Sequence, residues 1–341
     1  RRGELPANIR VNEFYFQPGS FLDSPLAQQQ YVSSNYTHVV RDLLDAGINV
    51  LAQLVGATQE EGATRFSLSC NPDLTLDLVP RLRAAEGRGE KVALLAQVNR
   101  NLPFMYGDAA VAPDYFDAVL DAPRYEFPLF APPNAAVNTA DYAIGLNVSS
   151  LIRDGGTLQL GIGSLSDAVT SLLKLRHERN ELYVEILSNA GVLDRFREVV
   201  ERVGGTGRFE RGLYAASEML VPGLLELHRC GVLKRKVHSD ARVQRVLNAS
   251  GVDEQGTTLE GTHVAHACFF LGPRSFYDAL RGMDRSEREQ ICMTGISFVN
   301  ELHGDEELKR LQRRDARFVN TGVIVTLSGA VASDALEDGR V

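Results

Sequence analysis

The stretch that decides the fold is DGGTLQLGIGSLSD, from Asp154 to Asp167. Its pattern predicts a strand over Thr157 to Leu160, then a Gly-Ile-Gly loop at 161–163, and then a helix that opens at Ser166–Asp167. The hydroxyl or carboxylate at the start of that helix is expected to accept free backbone N–H groups. Glycines let a backbone approach a ligand closely, and a helix N-terminus favours negative charge. The stretch therefore predicts a site for a phosphate or a carboxyl oxygen.

A second stretch, GLYAASEMLVPGLLELHRCG from Gly212 to Gly231, repeats the succession of strand and helix. It is predicted to place Glu218 at the turn between them. A glutamate after a strand is usually a solvated residue or a charge at a helix terminus, and that interpretation stays open. The neighbours of Glu218 are small or apolar, however, and an acid in such surroundings is often partly buried and functional. A glycine loop for anions and an acid at a neighbouring strand end together indicate a ligand site.

Composition limits the classes to which the chain can belong. Its 341 residues predict about two domains. The net charge of −8 disfavours nucleic acid or an anionic membrane as the main partner, because both select basic surfaces. The cysteines are widely spaced, no signal peptide is recognised, and no apolar run approaches the roughly 20 residues that span a bilayer. These features predict a cytoplasmic protein with reduced thiols.

Apolar runs that alternate with helical patterns organise the chain. Ile48 to Gly56 and Lys91 to Val98 are typical of strands buried on both faces, and a helical pattern separates them, which predicts a parallel α/β sheet. Arg124 to Asn138 contains three prolines and is predicted to be a linker. One domain is therefore expected over residues 1–138 and a second over residues 139–341.

Two segments of the second predicted domain carry further expectations. Glu181 to Phe209 is predicted to be an insertion, near residues 181–209, and it contains an amphipathic helix over Val192 to Val203 that ends at two glycines. Ala316 to Leu327 is a long apolar run, and it is predicted to form one buried strand.

The sequence gives little support to three other kinds of site. A dinucleotide fingerprint needs a third glycine where this chain has Ser166. His263, His266 and Cys268 suggest zinc, but strand alternation would turn His263 away from the other two, so no metal site is predicted. The chain has no G-x-S-x-G pattern, and a serine hydrolase of that type has no support.

TLQLGIGSLSDAV and AASEMLVPGLLELHRCGVL resemble two segments of the acetyl-CoA hydrolase/transferase family, which includes the 4-hydroxybutyrate, butyryl and succinyl CoA-transferases. LLAQVNRNLPFMYGD, FFLGPRSFYDAL and RFVNTGVIVTLSGAVASDA are similar to further family segments in the same order. The resemblance covers roughly residues 40 to 341, and the first two segments are its most specific part. It implies an α/β fold of two Rossmann-like, CoA-transferase-type domains with an active site between them, in a homodimer.

The same resemblance implies the residues and substrates of the site. Glu218 would be the nucleophile that carries CoA as a glutamyl thioester. The substrates would be an acyl-CoA and a small carboxylic acid, with coenzyme A as a substrate and with no permanently bound cofactor. The residues implied to contact CoA are Gly161, Ile162, Gly163, Ser164, Leu165 and Val323.

The chain also departs from the family pattern. The family commonly has a histidine where this chain has Ala216, and it has an acid and a glutamine where this chain has Thr326 and Ala330. The predicted insertion falls between the glycine loop and Glu218. The family carries another glycine-rich loop shortly after the point where this sequence stops, and the early part of the first domain is also missing. The sequence is therefore expected to be a piece of a longer protein.

Three functions remain open from the sequence. The first is CoA transfer through Glu218, or hydrolysis of acyl-CoA at the same site when water takes the acyl group. The second is a protein of the same fold that binds CoA or acyl-CoA without catalysis, which Ala216 and the insertion favour. The third is an α/β module for a different anion.

Overall fold

The structure is a computed structural model that describes residues 6–13, 21–60, 62–132, 136–301, 303–322, 324–333 and 340. The chain divides into two compact units. The smaller unit combines Arg1–Ile48 with Asn320–Val341, and the larger unit is Asn49–Val319. Two five-stranded sheets lie in the larger unit, and a two-stranded hairpin lies in the smaller one.

The helices and strands are numbered in chain order. The helices are α1 (Pro25–Gln30), α2 (Val39–Asp45), α3 (Asp73–Gly87), α4 (Thr139–Ser150), α5 (Ser164–Glu178), α6 (Asn180–Asn189), α7 (Val192–Val203), α8 (Pro222–Arg229), α9 (Ala241–Ala249), α10 (Arg274–Arg281), α11 (Arg285–Arg288), α12 (Ile296–Asn300) and α13 (Glu306–Gln312). The strands are β1 (Val50–Glu60), β2 (Ala63–Ser67), β3 (Ala93–Val98), β4 (Ala110–Val111), β5 (Ala118–Leu120), β6 (Thr157–Leu160), β7 (Tyr214–Leu220), β8 (Ala265–Phe270), β9 (Ile291–Met293), β10 (Arg317–Val319), β11 (Ile324–Val325) and β12 (Val331–Ala332).

The first sheet has the strand order β4-β2-β1-β3-β5. β1, β3 and β5 are parallel, whereas β2 and β4 are antiparallel additions at one side. The helix α3 connects β2 to β3 and buries one apolar face, which includes Leu78 and Leu82. The two apolar runs that predicted parallel strands correspond to β1 and β3, so the α/β class predicted from the sequence is confirmed.

The second sheet has the order β10-β6-β7-β8-β9, and all of its pairings are parallel. Its central strands are apolar along most of their length because parallel strands are covered on both faces. Leu158, Leu160, Ala215 and Ala216, for example, are almost fully buried. The strand predicted over Thr157 to Leu160 is confirmed with the same bounds.

The Asp154 carboxylate fixes the start of β7 beside the start of β6. Its two oxygens accept hydrogen bonds from the backbone N–H groups of Glu210, Arg211 and Gly212 at 3.1, 3.0 and 2.8 Å. Gly155 N–H donates in turn to the Gly212 carbonyl at 3.0 Å. The opening residues of the DGG stretch therefore tie the loop before β7 to the turn before β6.

The predicted insertion contains α6 and α7, and α7 has the bounds that the sequence predicted, Val192 to Val203. Its apolar side chains join those of α4 and α5 in one buried cluster. The members of that cluster are Leu146, Leu172, Tyr183, Leu187, Val192, Leu193 and Val200. The insertion is therefore packed against the two helices that flank β6.

The buried side chain of Arg176 ties this region together. Its guanidinium donates to the carbonyl oxygens of Ser149, Ile152 and Gly207 at 3.0, 2.6 and 2.7 Å, and it lies 4.4 Å from the centre of the Phe209 ring. Burial lowers the pKa of Arg176 from its usual range. The three carbonyl groups supply the polar contacts that a buried guanidinium requires.

The prediction of one buried strand over Ala316 to Leu327 is wrong. β10 pairs with β6 over three residues only, and the chain then enters the separate hairpin of β11 and β12. Ile324 and Val325 are exposed, and Leu327 is fully exposed. The run is apolar, but it stays in the sheet only as far as Val319, which pairs with the last residue of β6.

The predicted boundary at residue 138 separates the residues of the first sheet from those of the second. The larger unit nevertheless holds both sheets, and a parallel bridge joins Tyr106 to Cys292. In that bridge Met293 N–H donates to the Tyr106 carbonyl at 3.0 Å. The division into domains 1–138 and 139–341 stays a prediction.

We expect Gly204→Ala to destabilise the protein by about 1 to 3 kcal/mol, as overpacking does. A Cβ at Gly204 would lie 2.6 Å from Leu151 Cα and closer still to the Ser150 carbonyl oxygen, and neither backbone atom can yield cheaply. Gly207→Ala in the same loop is the control, because a Cβ there meets no atom within 4 Å. Urea unfolding of both variants measures the difference, and equal stabilities would contradict the expectation.

Candidate active site

The glycine loop and Glu218 lie at the same edge of the second sheet. β6 and β7 are parallel neighbours, in register at Thr157 with Tyr214, so their carboxyl ends meet at one edge. The Ser217 hydroxyl donates to the Leu160 carbonyl at 3.3 Å. The residue before Glu218 therefore contacts the residue before the Gly-Ile-Gly loop.

The loop passes directly into α5 at Gly163. This glycine has a φ of +111°, a conformation that L side chains rarely adopt, and it is the N-cap residue of α5. Among the described residues, no side chain caps the first N–H groups of this helix. The prediction that the helix opens at Ser166–Asp167, with one of them as the cap, is wrong, because both lie inside the first turn. The helix starts at Ser164, directly after the positive-φ backbone that glycine adopts without strain.

The loop residues implied to contact CoA differ in exposure. Gly163 is exposed, and Ile162 is 58% exposed. The remaining three, Gly161, Ser164 and Leu165, are half-buried. Val323, the other residue implied to contact CoA, lies outside the described residues.

Glu218 lies within β7 and not at the turn that the sequence predicted. The strand continues to Leu220, where it is still paired with Phe270 of β8, and α8 begins only at Pro222. The prediction of a turn at Glu218 is therefore wrong, because the ladder with β8 carries the strand two residues further. Glu218 is half-buried, as an acid among small apolar neighbours was expected to be.

Asn300 is the residue of this site that the sequence did not reveal. Its side-chain Nδ2 donates to Glu218 Oε2 at 2.5 Å, although the two residues are 82 positions apart. Asn300 is the last residue of α12 and is exposed. Among the described residues no hydrogen bond reaches Oε1 of Glu218. The amide thus fixes one carboxylate oxygen and leaves the other available.

The chain matches no protein-family model. Over 243 residues it is 37% identical to 4-hydroxybutyrate coenzyme A transferase of Clostridium kluyveri. The chain is related to the CoA-transferase family. This likeness confirms the resemblance that the glycine loop and the Glu218 segment predicted. The match covers 71% of this chain and 41% of the relative, so the chain spans less than half of the length of that CoA-transferase.

RipA from Yersinia pestis has a similar fold. It superimposes with a TM-score of 0.59 at 21% identity, over 89% of this chain and 53% of RipA. At that identity the likeness concerns the fold alone. A 4-hydroxybutyrate CoA-transferase from Porphyromonas gingivalis gives a TM-score of 0.48 at 18% identity over 85% of this chain and 58% of that one. Over the described ranges, no helix is both long and apolar enough to cross a bilayer.

The thiols near this edge are poor candidates for a nucleophile. All four cysteines are free. Burial raises the pKa of Cys268 well above its usual range, and the carboxylates of Asp73 and Glu218 raise it further. Burial likewise raises the pKa values of Cys70 and Cys292 to about 12. Because the thiolate is the reactive form of cysteine, these three thiols are unsuited to act as nucleophiles.

The two histidines considered for zinc contact each other. His263 precedes β8, so strand alternation does not apply to it, and its ring lies 5.1 Å from that of His266. The expectation that they point to opposite faces is wrong. His266 Nδ1 lies 2.9 Å from the Tyr214 hydroxyl, and burial lowers the pKa of His266 to about 3. Within the described part of the chain, no group of three or more His, Cys, Asp or Glu residues could hold a metal ion.

The buried His266 gives a prediction on stability and pH. Its folded-state pKa, about 3, is below the ordinary 6.5, so below pH 6.5 only the unfolded chain gains this proton. The free energy of unfolding should therefore fall by about 1.4 kcal/mol per pH unit from this group as pH decreases from 6.5 towards 3. Unfolding by urea at several pH values should show a shallower dependence in His266→Asn. The control is His303→Asn, whose side chain is 92% exposed in the native protein. Parallel curves for all three proteins would contradict this.

Proposed function

We propose that the chain is the part of a CoA-transferase that holds the nucleophile, and that it moves CoA between an acyl-CoA and a carboxylic acid. The observation that carries the proposal is the shared sheet edge of Glu218 and the glycine loop. The 37% identity to an enzyme named 4-hydroxybutyrate coenzyme A transferase supports the same chemistry.

The glycine loop and the start of α5 suit the binding of CoA. Backbone N–H groups at a helix N-terminus bind phosphate or carbonyl oxygens, and no side chain of the described residues bonds to them here. Open space lies beside Gly161, since among the described residues a Cβ there would meet the Val319 carbonyl alone, at 4.0 Å. The exposed Ile162 offers an apolar contact for the pantetheine arm. Gly161 through Leu165 are accordingly proposed to line the CoA site, whereas the assignment of Val323 rests on the family resemblance alone.

The reaction begins when Glu218 attacks the carbonyl of the acyl-CoA thioester. The C–S bond breaks, CoA leaves as the thiolate, and an acyl-glutamyl anhydride forms. The thiolate then attacks the glutamyl carbonyl, the acyl group leaves as a carboxylate, and a glutamyl-CoA thioester remains. An acceptor carboxylate attacks this thioester, the C–S bond breaks, CoA leaves as the thiolate, and a second anhydride forms. The thiolate then attacks the acyl carbon of that anhydride, which gives the new acyl-CoA and releases Glu218 as a free carboxylate. Covalent catalysis thus divides one difficult transfer into smaller steps.

Two features of the site serve this sequence of steps. Asn300 binds Oε2 of Glu218 and leaves Oε1 to attack, so the carboxylate is held in one orientation. Backbone N–H groups of the glycine loop can donate to the oxyanion of each tetrahedral intermediate, and each well-placed donor stabilises the transition state by about 3 kcal/mol.

Hydrolysis would use the same anhydride or thioester with water in place of the acceptor acid. The dependence of CoA exchange on a carboxylic acid separates the two outcomes.

We expect Glu218→Gln to lower the rate of CoA exchange between acyl-CoA and labelled free acid by about a thousandfold or more, because the nucleophile is removed. The assay should use the full-length protein. Borohydride reduction of enzyme mixed with acyl-CoA should trap the thioester at Glu218. Glu307→Gln is the control, since its side chain is 61% exposed. Exchange that survives in Glu218→Gln, or trapping at another residue, would refute the assignment.

We expect Asn300→Ala to lower kcat/KM for the same exchange by about tenfold to a hundredfold. A hydrogen bond to a charged group is worth about 1.5 to 3 kcal/mol, and each 1.4 kcal/mol is a factor of ten in rate. Asn248→Ala is a matched control, because it too removes an asparagine amide that donates a hydrogen bond. That amide donates to the Leu311 carbonyl, at 2.8 Å. An unchanged rate in Asn300→Ala would show that the contact does not matter for turnover.

The homodimer and the cytoplasmic location stay predictions. An active site between the two predicted domains is also proposed, since α12, which carries Asn300, contacts α3 of the first sheet through Asp77 and Ser297. Size-exclusion chromatography with light scattering on the full-length protein tests the oligomer directly.

A further inference from the structure

The helix α12 is held by side chains from outside it. It has five residues, which is too short for a helix to be stable by its own hydrogen bonds. Its last residue, Asn300, carries the amide that binds Glu218. Whatever fixes this helix therefore also fixes the amide.

Asp77 caps the N-terminal end of α12. Its Oδ2 accepts from Ser297 N–H at 2.9 Å, and its Oδ1 accepts from the Ser297 hydroxyl at 2.7 Å. A Cβ on Gly295 would lie 2.7 Å from Asp77 Oδ1, so the carboxylate fits only against a glycine. Negative charge at this end is also favoured by the helix dipole. These contacts give α12 the cap that its own sequence lacks, since no side chain of its N-cap residue bonds to it.

Basic side chains hold the other end of the same helix. Arg313 donates to the carbonyl oxygens of Phe298 and Val299, the latter at 3.1 Å. The Lys309 amine donates to the carbonyls of Ser297 and Glu301, both at 3.2 Å. Burial lowers the pKa values of both Arg313 and Lys309. Both charges come from the second-sheet half of the chain, whereas Asp77 comes from α3, which precedes β3 of the first sheet.

We propose that Asp77 is a positioning residue for the Glu218 site, acting through α12 and Asn300. Resting on the proposed function, this assignment extends the site to a residue 141 positions before the nucleophile. Asp77 bonds to the second residue of α12, and Asn300 is the fifth, so less than one helical turn separates the cap from the amide. Loss of the cap frees the N-terminal end of this short helix, and the amide of Asn300 then leaves its place on Oε2 of Glu218.

Asp108 supplies a matched control within the same structure. Its Oδ2 accepts from the Thr294 hydroxyl at 2.7 Å, so it too joins a carboxylate of the first-sheet half to a hydroxyl in the segment before α12. Within the described part of the chain, it accepts from no N–H group of the helix. Asp108→Ala should therefore cost stability without moving Asn300.

The decisive activity measurement is a double-mutant cycle on Asp77 and Asn300 in the acyl-CoA exchange assay. Asp77→Ala should lower kcat about tenfold with little change in the KM for acyl-CoA, and it should cause no further loss in the Asn300→Ala background. Asp77→Asn keeps one acceptor oxygen and should recover part of the rate. Additive losses of kcat in the double variant, or an equal loss of kcat in Asp108→Ala, would show that Asp77 stabilises the fold without positioning Asn300.

A second measurement does not depend on turnover. The side-chain amide signals of Asn300 in ¹⁵N NMR spectra are assigned by their absence in Asn300→Ala. These signals should shift in the spectrum of Glu218→Gln. They should shift in the same direction in Asp77→Ala and stay in place in Asp108→Ala. Unmoved signals in Asp77→Ala would overturn the proposal. If Asp77→Ala does not fold, Asp77→Asn and Ser297→Ala replace it.

The two experiments separate the two proposals. Absence of any exchange by the unaltered full-length protein would defeat the proposed transferase, while the NMR shifts would still decide whether Asp77 positions Asn300. Normal exchange together with unmoved Asn300 signals in Asp77→Ala would defeat the positioning role alone.

Discussion

The Asp154 carboxylate accepts three consecutive backbone N–H groups from the segment that leads into β7, and this contact sets β7 beside β6. Parallel strands in register must end at a common edge, so the same contact brings Glu218 to the edge where the Gly-Ile-Gly loop leaves β6. Ser217, the residue before Glu218, donates a hydrogen bond to Leu160, the residue before the glycine loop. The candidate site is thus a consequence of strand register, and it would be lost with a shift of one residue, which turns every side chain to the opposite face.

The site combines a strand, a helix N-terminus and a very short helix, and each meets a different physical requirement. The strand β7 holds Glu218 between two paired residues, since Ser217 and Met219 on either side of it pair with β8. The start of α5 leaves its N–H groups uncapped by any described side chain, because its N-cap residue Gly163 has no side chain that could accept them. The helix α12 is ordered by Asp77 at one end and by Arg313 at the other. Elements this short need such external contacts, because too few internal hydrogen bonds oppose the entropy of the free chain.

The sequence predicted best where the signals are local. The strand Thr157–Leu160 and the helix Val192–Val203 were found with their observed bounds, since glycines mark the end of each and apolar periodicity marks the rest. The errors arose where tertiary pairing decides the outcome. β7 runs past Glu218 because β8 continues beside it, and the apolar run after Ala316 leaves the sheet where its pairing with β6 ends. His263 turned towards His266 because strand alternation holds only inside a strand, and β8 starts after it.

The sequence by itself determined the α/β class, because apolar runs that alternate with helical patterns recur along the chain. It also predicted an anion site at the loop after β6 and, through the family resemblance, Glu218 as the candidate nucleophile, from residue types within short segments. Only the tertiary structure decided which groups act on that glutamate. Asn300 and Asp77 lie 82 positions after it and 141 before it, and neither segment carries a local signal of its role. Side chains that meet through the packing of separate elements leave no periodicity in the sequence, because the contact is fixed by where the helices and strands lie in space.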